Sequence, residues 1–190
     1  MNLVNPNAES VRKLAHDLAQ GYYSYSAAMT IAKDLRSDNL LPPIEPGQVV
    51  PVGYVKSKAG FNHVFHFSFY LEEARKNPSI IHHLDRIYFA GALLTLGDAL
   101  SKYNYFDRAP ILELVRHLRN GIAHGNTFDI RDSKTLIKHP ANNKSFDGNA
   151  VFEITDTLNG QPVLFDFMEP GDIVTTFTNV NFHLQNVAWN

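Results

Sequence analysis

The chain has 190 residues, 44% hydrophobic and 19% charged, which is ordinary globular usage and enough length to bury a real core. It has no cysteine, which excludes disulfides, thiolate chemistry and zinc-finger sites. The net charge of −2 does not advertise a nucleic-acid binder, but its distribution is uneven. Residues 108–144 carry seven Lys/Arg against three acids, and residues 145–190 carry six acids and no Lys or Arg. A central basic segment suits a phosphate backbone and an acidic tail repels one, although random unevenness in solvated charge accounts for the pattern equally well.

The first residues, "MNLVNPNAESVRK", lack a basic run followed by an apolar core, so no signal peptide is expected. The longest apolar stretch, Ile87 to Gly97, stops at Asp98 and is too short to span a bilayer. The expectation is a soluble cytoplasmic protein without membrane partners.

From about Asn7 to Arg36, Val11, Leu14/Ala15, Leu18, Tyr22, Tyr25, Met29 and Ala32 recur at helical spacing, which predicts a long helix, with Gly21 as a place to bend. "NLLPPIEPGQVVPVGYVKSKAG" contains four prolines and reads as a wandering loop. Phe61, Val64, Phe65, Ser68 and Leu71 predict a second helix ending before Pro78. Pro78 and Ser79 are expected to open a third helix, apolar on more than one side, running to about Tyr105, with Asp98 as its anomaly. Pro110 suits the first turn of a fourth helix running to about His124.

Beyond that the texture changes. "AVFEITDTLNGQPVLFDFM" alternates and carries Asn159-Gly160, a pair favoured in type I′ hairpin turns, so a β-hairpin is expected. Ile173/Val174, Phe177, Val180, Leu184 and Val187 then restore helical spacing for a last helix. The fold class expected is mainly α: an up-and-down helical bundle over residues 1–126, and an extension of loop, hairpin and terminal helix over residues 127–190 packed on it.

The fourth helix carries the chemistry. Ile111, Leu114, Val115, Leu118 and Ile122 form its apolar stripe, and Glu113, Arg116, His117, Asn120 and His124 are expected to face away from the core. Arg119 lies about 140° around the helix from His124, so a straight helix does not let both grip one phosphate. Gly121 then reads as a point where the last turn unwinds, or two copies of the helix meet and pool their residues.

An Arg-Asn pair, three residues, then His, at the end of a bundle helix resembles the R-x4–6-H motif of the HEPN superfamily, here Arg119, Asn120 and His124. The resemblance covers roughly residues 7–126. It implies a small helical bundle that dimerises through the motif helix, and in many members a metal-independent endoribonuclease of toxin–antitoxin or phage-defence systems. By that resemblance Arg119, Asn120 and His124 are the catalytic residues, RNA is the substrate, a second copy and an antitoxin protein are partners, and no cofactor or metal is needed. Asp98 is a supporting residue by the same likeness, since members carry a polar residue on the preceding helix. Arg116 and His117 are candidates to extend the phosphate-binding surface. The alternative is a non-catalytic HEPN-like module that binds nucleotide, RNA or a partner protein. A Tyr two residues after the His marks one regulated subgroup, and this chain has Asn126 there.

The residues suit such chemistry on general grounds. An imidazole with a reference pKa near 6.5 moves protons at neutral pH, and a guanidinium fork matches phosphate oxygens as charge builds up on them. "HVFH" (His63, His66) and His82-His83 lack an acid at zincin-type spacing and are expected to be solvated or structural. Arg75 and His82 also satisfy R-x6-H, but Pro78 separates them into different elements.

Overall fold

The computed structural model describes residues 5–130, 133–148 and 150–186. Its elements in chain order are α1 (Pro6–Lys33), a 3-10 turn (Leu35–Leu40), β1 (Val52–Lys56), β2 (Asn62–His66), α2 (Phe67–Lys76), α3 (Pro78–Ser101), α4 (Pro110–Ala123), α5 (Ser133–Lys138), a short 3-10 turn (Asp156–Leu158) and α6 (Pro170–Asn186). The protein is mainly helical, with one small two-stranded antiparallel sheet among the described residues. None of the described helices is long and apolar enough to cross a membrane.

Helix starts follow local chemistry. α1, α3, α4 and α6 each begin on a proline, whose fixed φ suits the first turn and whose missing N–H was without a helical partner anyway. Asn5 caps α1, its side-chain oxygen accepting from the Asn7 backbone N–H at 2.9 Å. At α6 the Asp172 carboxylate reaches back to the Glu169 N–H at 3.0 Å.

The chain divides into two compact units, one of residues 1–22 with 85–190 and one of residues 23–84. The first holds the core. Val11, Ala15 and Ala19 of α1, Phe89, Leu93, Leu96 and Leu100 of α3, the α4 stripe, and Ile173, Val174, Phe177, Val180 and Leu184 of α6 are buried together. The α6 stripe expected from spacing is thus the observed core face; Val187 lies outside the described residues. The fourth main contributor to this core is α6 rather than α2, which buries none of its residues.

The described residues between 127 and 168 are tied down by asparagine side chains and isolated bridges rather than by a hairpin. The expected strand pair after residue 150 is not formed among the described residues. Instead Thr127 bridges Pro162, Phe128 donates its N–H to the Gln161 carbonyl at 2.9 Å, and Gly160 donates to the Phe128 carbonyl at 2.9 Å. Asn159 has φ −55° and ψ 127° and Gly160 has φ 81°, with the Gln161 N–H on the Leu158 carbonyl at 2.9 Å. Those are the angles of a type II turn, which needs a left-handed residue at its third position only, whereas type I′ needs two. Asn159 spends its side chain elsewhere, accepting from the Ile130 N–H at 2.8 Å. Buried Asn143 closes the next loop, donating to the Ala150 carbonyl at 2.8 Å and accepting from the Phe152 N–H at 2.7 Å.

The second unit corrects two expectations. The proline-rich stretch read as loop contains β1, and the segment read as the start of a helix at Phe61 is β2, with α2 beginning at Phe67. β1 and β2 pair with Tyr54 opposite Val64. Val64 and Phe65 fit helical spacing with Phe61 and Ser68, but β-branched and aromatic residues fit a strand as well, and short apolar runs do not separate the two. Within this unit Arg75 closes the end of α1. Its guanidinium donates to the Ala32 carbonyl (3.1 Å), the Asp34 carbonyl (3.2 Å) and the Ser37 hydroxyl (2.7 Å), and pairs with Asp38 at 2.9 Å. Its side chain is only 15% exposed, so this arginine is committed to closing helix-end carbonyls.

Candidate functional site at the end of α4

The site lies in the first unit, where α4 meets the end of α3. α4 is strongly amphipathic by sequence, and its apolar stripe is buried as expected: Ile111, Leu114, Val115 and Leu118 are fully or nearly fully enclosed, and Ile122 is half-buried. That fixes the rotation of the helix and therefore where its polar groups point.

Arg119 leaves the half-buried flank of α4 and crosses to α3. An added Cβ at Gly97 would stand 2.6 Å from the Arg119 Cβ and closer still to its Cγ, so the arginine stem occupies the space that residue 97 leaves by being glycine. The next residue, Asp98, takes the head of the same side chain. One carboxylate oxygen, Oδ1, accepts from Arg119 Nε at 2.9 Å and from Nη2 at 2.6 Å. The remaining nitrogen, Nη1, donates to Asn120 Oδ1 at 3.3 Å. Arg119 and Asp98 are 33% and 56% exposed, so the pair sits at the surface rather than in the core.

His124 is the residue that closes α4 (φ −96°, ψ 29°), its backbone N–H accepted by the Asn120 carbonyl. Its side chain is exposed, and among the described residues no hydrogen bond or ion pair holds the imidazole. The structure therefore brings together Arg119, Asn120 and Asp98 within one chain and leaves His124 open at the helix end.

α4 does not unwind at Gly121. The helix continues to Ala123, and an added Cβ at residue 121 would collide with Val163 Cγ2 and meet the Thr127 carbonyl oxygen at 3.3 Å. The glycine is there for close packing of the following segment, which corrects the reading of it as a hinge. Two left-handed residues, Gly125 (φ 81°) and Asn126 (φ 66°), then turn the chain back, with the Thr127 N–H on the Gly121 carbonyl at 2.9 Å. Asn126 accepts from the Leu164 N–H at 2.8 Å and its carbonyl accepts from the Val163 N–H at 3.1 Å. The position that holds a tyrosine in the regulated subgroup is here a structural splice.

Glu113, Arg116 and His117 do not face solvent as the helical wheel suggests. Glu113 is 0% exposed, its two oxygens held by Arg108 at 2.7 Å and Arg116 at 2.5 Å. Arg116 is thereby spent on a buried carboxylate, and its Nη2 and the His117 Nε2 are enclosed without a hydrogen-bond partner among the described residues. Burial pushes the His117 imidazole down to about 4, with the positive charge of Arg116 adding to the effect, so the ring is neutral at physiological pH. Neither residue is available as a phosphate-binding surface in this arrangement.

Sequence reasoning missed Gly97, Arg108 and Tyr105. Tyr105 is nearly buried, and its desolvated hydroxyl is pushed up by that burial, with Arg119 and Arg116 pulling the other way. It follows from a loop in which Asn104, Tyr105, Phe106 and Arg108 are all left-handed (φ 49° to 56°), a conformation that Asn favours but that Tyr, Phe and Arg rarely adopt, so the sequence does not signal the run. The Glu113–Arg116 pair did have a signal in its i, i+3 spacing. Among the described residues no group of three His, Asp or Glu gathers as a metal cluster.

No family model, no curated protein and no solved structure matches this chain.

Proposed function

We propose that this chain is an endoribonuclease of HEPN type, acting as a homodimer that joins its α4 helices and serving as a toxin or phage-defence effector. The observation that carries the reading is the way Asp98 holds Arg119. A guanidinium has a side-on edge, Nε with Nη2, and an end-on edge, Nη1 with Nη2. Asp98 takes the side-on edge through a single oxygen. The second N–H of Nη2 remains directed along the end-on edge, where a planar fork meets phosphate oxygens. An arginine fixed in that way meets a developing negative charge without reorganising, which is where electrostatic catalysis draws its strength.

His124, whose imidazole no hydrogen bond or ion pair holds among the described residues, supplies the proton transfer. The 2′-OH of the RNA attacks the adjacent phosphorus as one imidazole takes its proton. The P–O5′ bond breaks, and a second imidazole, from the other copy, gives a proton to the departing 5′ oxygen. The products are a 2′,3′-cyclic phosphate and a 5′-OH end. DNA, lacking the 2′-OH, is not cleaved. The test is incubation of the purified chain with total RNA in EDTA, followed by end-group analysis, for the parent and for His124→Ala. Equal cleavage by both proteins sinks the mechanism.

A second reading, a non-catalytic HEPN-like module binding nucleotide, RNA or a partner protein, draws on the same ion pair, because Asp98 already offsets the charge of Arg119. RNA binding that survives His124→Ala, with no cleavage by either form, supports that module instead.

A further inference from the structure

Strand alternation sorts the β1–β2 hairpin into two faces. The register sets Val52 opposite His66, Tyr54 opposite Val64 and Lys56 opposite Asn62, so these six residues share one face. Gly53, Val55, His63 and Phe65 share the other. That second face is used within its own unit at the Gly53 end. A Cβ added at Gly53 would collide with the Phe65 ring, whose centroid lies 5.0 Å from that of Phe67 and 6.1 Å from that of Tyr70, both on α2. The first face is open: Tyr54 is 48% and Val64 58% exposed, and Lys56, Asn62 and His66 are exposed with them.

The charge of the hairpin has one sign. Residues 46–71 contain Lys56 and Lys58 and no Asp or Glu. Elsewhere in the unit Arg36, Arg75 and Lys76 are paired with Asp34, Asp38 and Glu72. Lys56 and Lys58 have no ion-pair partner among the described residues. The Tyr54 ring is held at its tip, where the hydroxyl accepts from Gln48 Nε2 at 2.9 Å, and the same amide lies 3.5 Å from the Glu45 carboxylate. Val64 supports the ring from the side. The Ser57 N–H donates to the Phe61 carbonyl at 2.8 Å, and counting by twos from that hydrogen-bonded pair makes Tyr54 and Val64 a non-hydrogen-bonded one, in which side chains approach most closely.

A fixed aromatic ring beside an unpaired cation, in a segment free of acids, matches what a single nucleic-acid strand presents, since its bases stack on rings and its phosphates meet cations. Lys56 follows Tyr54 by about 7 Å on the same face. We propose that this face binds single-stranded RNA, one base stacking on Tyr54 and a neighbouring phosphate meeting Lys56. Other occupants fit less well. A second copy laid on the face brings cations of the same sign together, an acidic peptide leaves the ring unused, and a duplex keeps its base faces stacked inside. The choice of RNA over DNA rests on the nuclease reading of the α4 site; the stacking surface does not, and it uses none of that site's residues.

Binding is measured on the full-length His124→Ala protein in EDTA, by fluorescence anisotropy of a labelled oligouridine of about 12 nucleotides. In that background the strand survives whether or not the parent cleaves RNA, and cleavage is scored separately on the parent, so each reading can fail without the other. Tyr54→Ala is expected to weaken binding about tenfold, and Tyr54→Phe, which keeps the ring, to stay within about twofold. Lys56→Ala is expected to weaken binding and to lower the slope of log affinity against log salt by about 0.7, the value for one phosphate of a single strand. Lys138→Ala, at an exposed lysine of the other unit, is expected to change neither. The proposal is overturned by an absence of binding at about 100 µM protein. It is overturned equally by undiminished affinity in Tyr54→Ala, by a loss in Tyr54→Phe as large as in Tyr54→Ala, by double-stranded RNA bound as tightly as the single strand, or by oligodeoxyuridine bound more tightly than oligouridine.

Discussion

The stem of Arg119 lies in the space that a side chain at residue 97 would fill, and the head of the same arginine is held by the very next residue, Asp98. One dipeptide on α3 thus both admits and orients the group proposed to bind phosphate. Gly97→Ala forces the arginine off its position, and the overpacking is expected to cost about 1–3 kcal/mol. Gly91 is the matched control on the same helix, since nothing lies within 4 Å of its added Cβ. Gly91→Ala is expected to stabilise by about 0.5–1 kcal/mol through helix propensity alone. Thermal melts of the two variants, read beside their RNA cleavage, check this; equal behaviour would mean that Gly97 is not a seat for Arg119.

Asp98→Ala separates stability from function. A half-exposed ion pair contributes under about 1 kcal/mol, so the melting temperature is expected to stay within a few degrees. Cleavage of RNA is expected to fall about tenfold or more, because Arg119 then has to be ordered at each encounter. A large loss of stability with unchanged cleavage would assign Asp98 to the fold instead.

Glu113 is the reverse case, a fully buried carboxylate between two guanidinium groups. Glu113→Ala leaves Arg108 and Arg116 without a counter-charge and is expected to cost about 3–5 kcal/mol, as breaking a buried pair does. Urea denaturation measures it, and a loss below about 1 kcal/mol would contradict the buried assignment.

His117 makes stability depend on pH. Its folded value of about 4 lies below the ordinary 6.5 because burial disfavours the charged ring. Between those values the unfolded chain binds the proton and the folded chain does not, so stability rises with pH across that window and is lost as the pH falls through it. With allowance for the partial exposure of the ring, the contribution is about 1–2 kcal/mol lower at pH 5 than at pH 8. His117→Leu is expected to flatten that slope in urea midpoints taken at the two pH values. An unchanged slope counts against a buried neutral ring.

Asn126 is expected to hold the segment after α4 in register. Asn126→Ala loses the hydrogen bond to Leu164 and places alanine at φ 66°, together about 2–3 kcal/mol. Asn126→Gly relieves the backbone and loses only the side-chain bond. Hydrogen exchange at Leu164 ranks the two, with faster exchange expected in both and the greater loss of global stability in the alanine variant.

Much of this protein was legible from local pattern. The α4 and α6 stripes, the proline at the start of α3 and of α4, and the Arg119-Asn120-His124 spacing at the end of α4 all depend on periodicity and dihedral preferences spanning a few residues. The hairpin of Val52–His66 was not legible, because four prolines before it signal loop and the Val64-Phe65 pair matches a helical template as well as an extended one. Asn159-Gly160 was legible as a turn but not as a type II turn, since what decides the type is the Asn159 amide reaching Ile130, 29 residues away.

What the sequence determined by itself was where helices run and which stripe of each is apolar, because those follow from spacing along one element. What only the tertiary structure decided was the fate of the polar groups beside the stripes. Glu113 goes inside because Arg108 and Arg116 converge on it, and Arg119 crosses to α3 because residue 97 has no side chain in the way. The i, i+3 spacing on α4 records Arg116, but Arg108 before the helix and Gly97 on α3 lie outside it, and no periodicity along α4 records them.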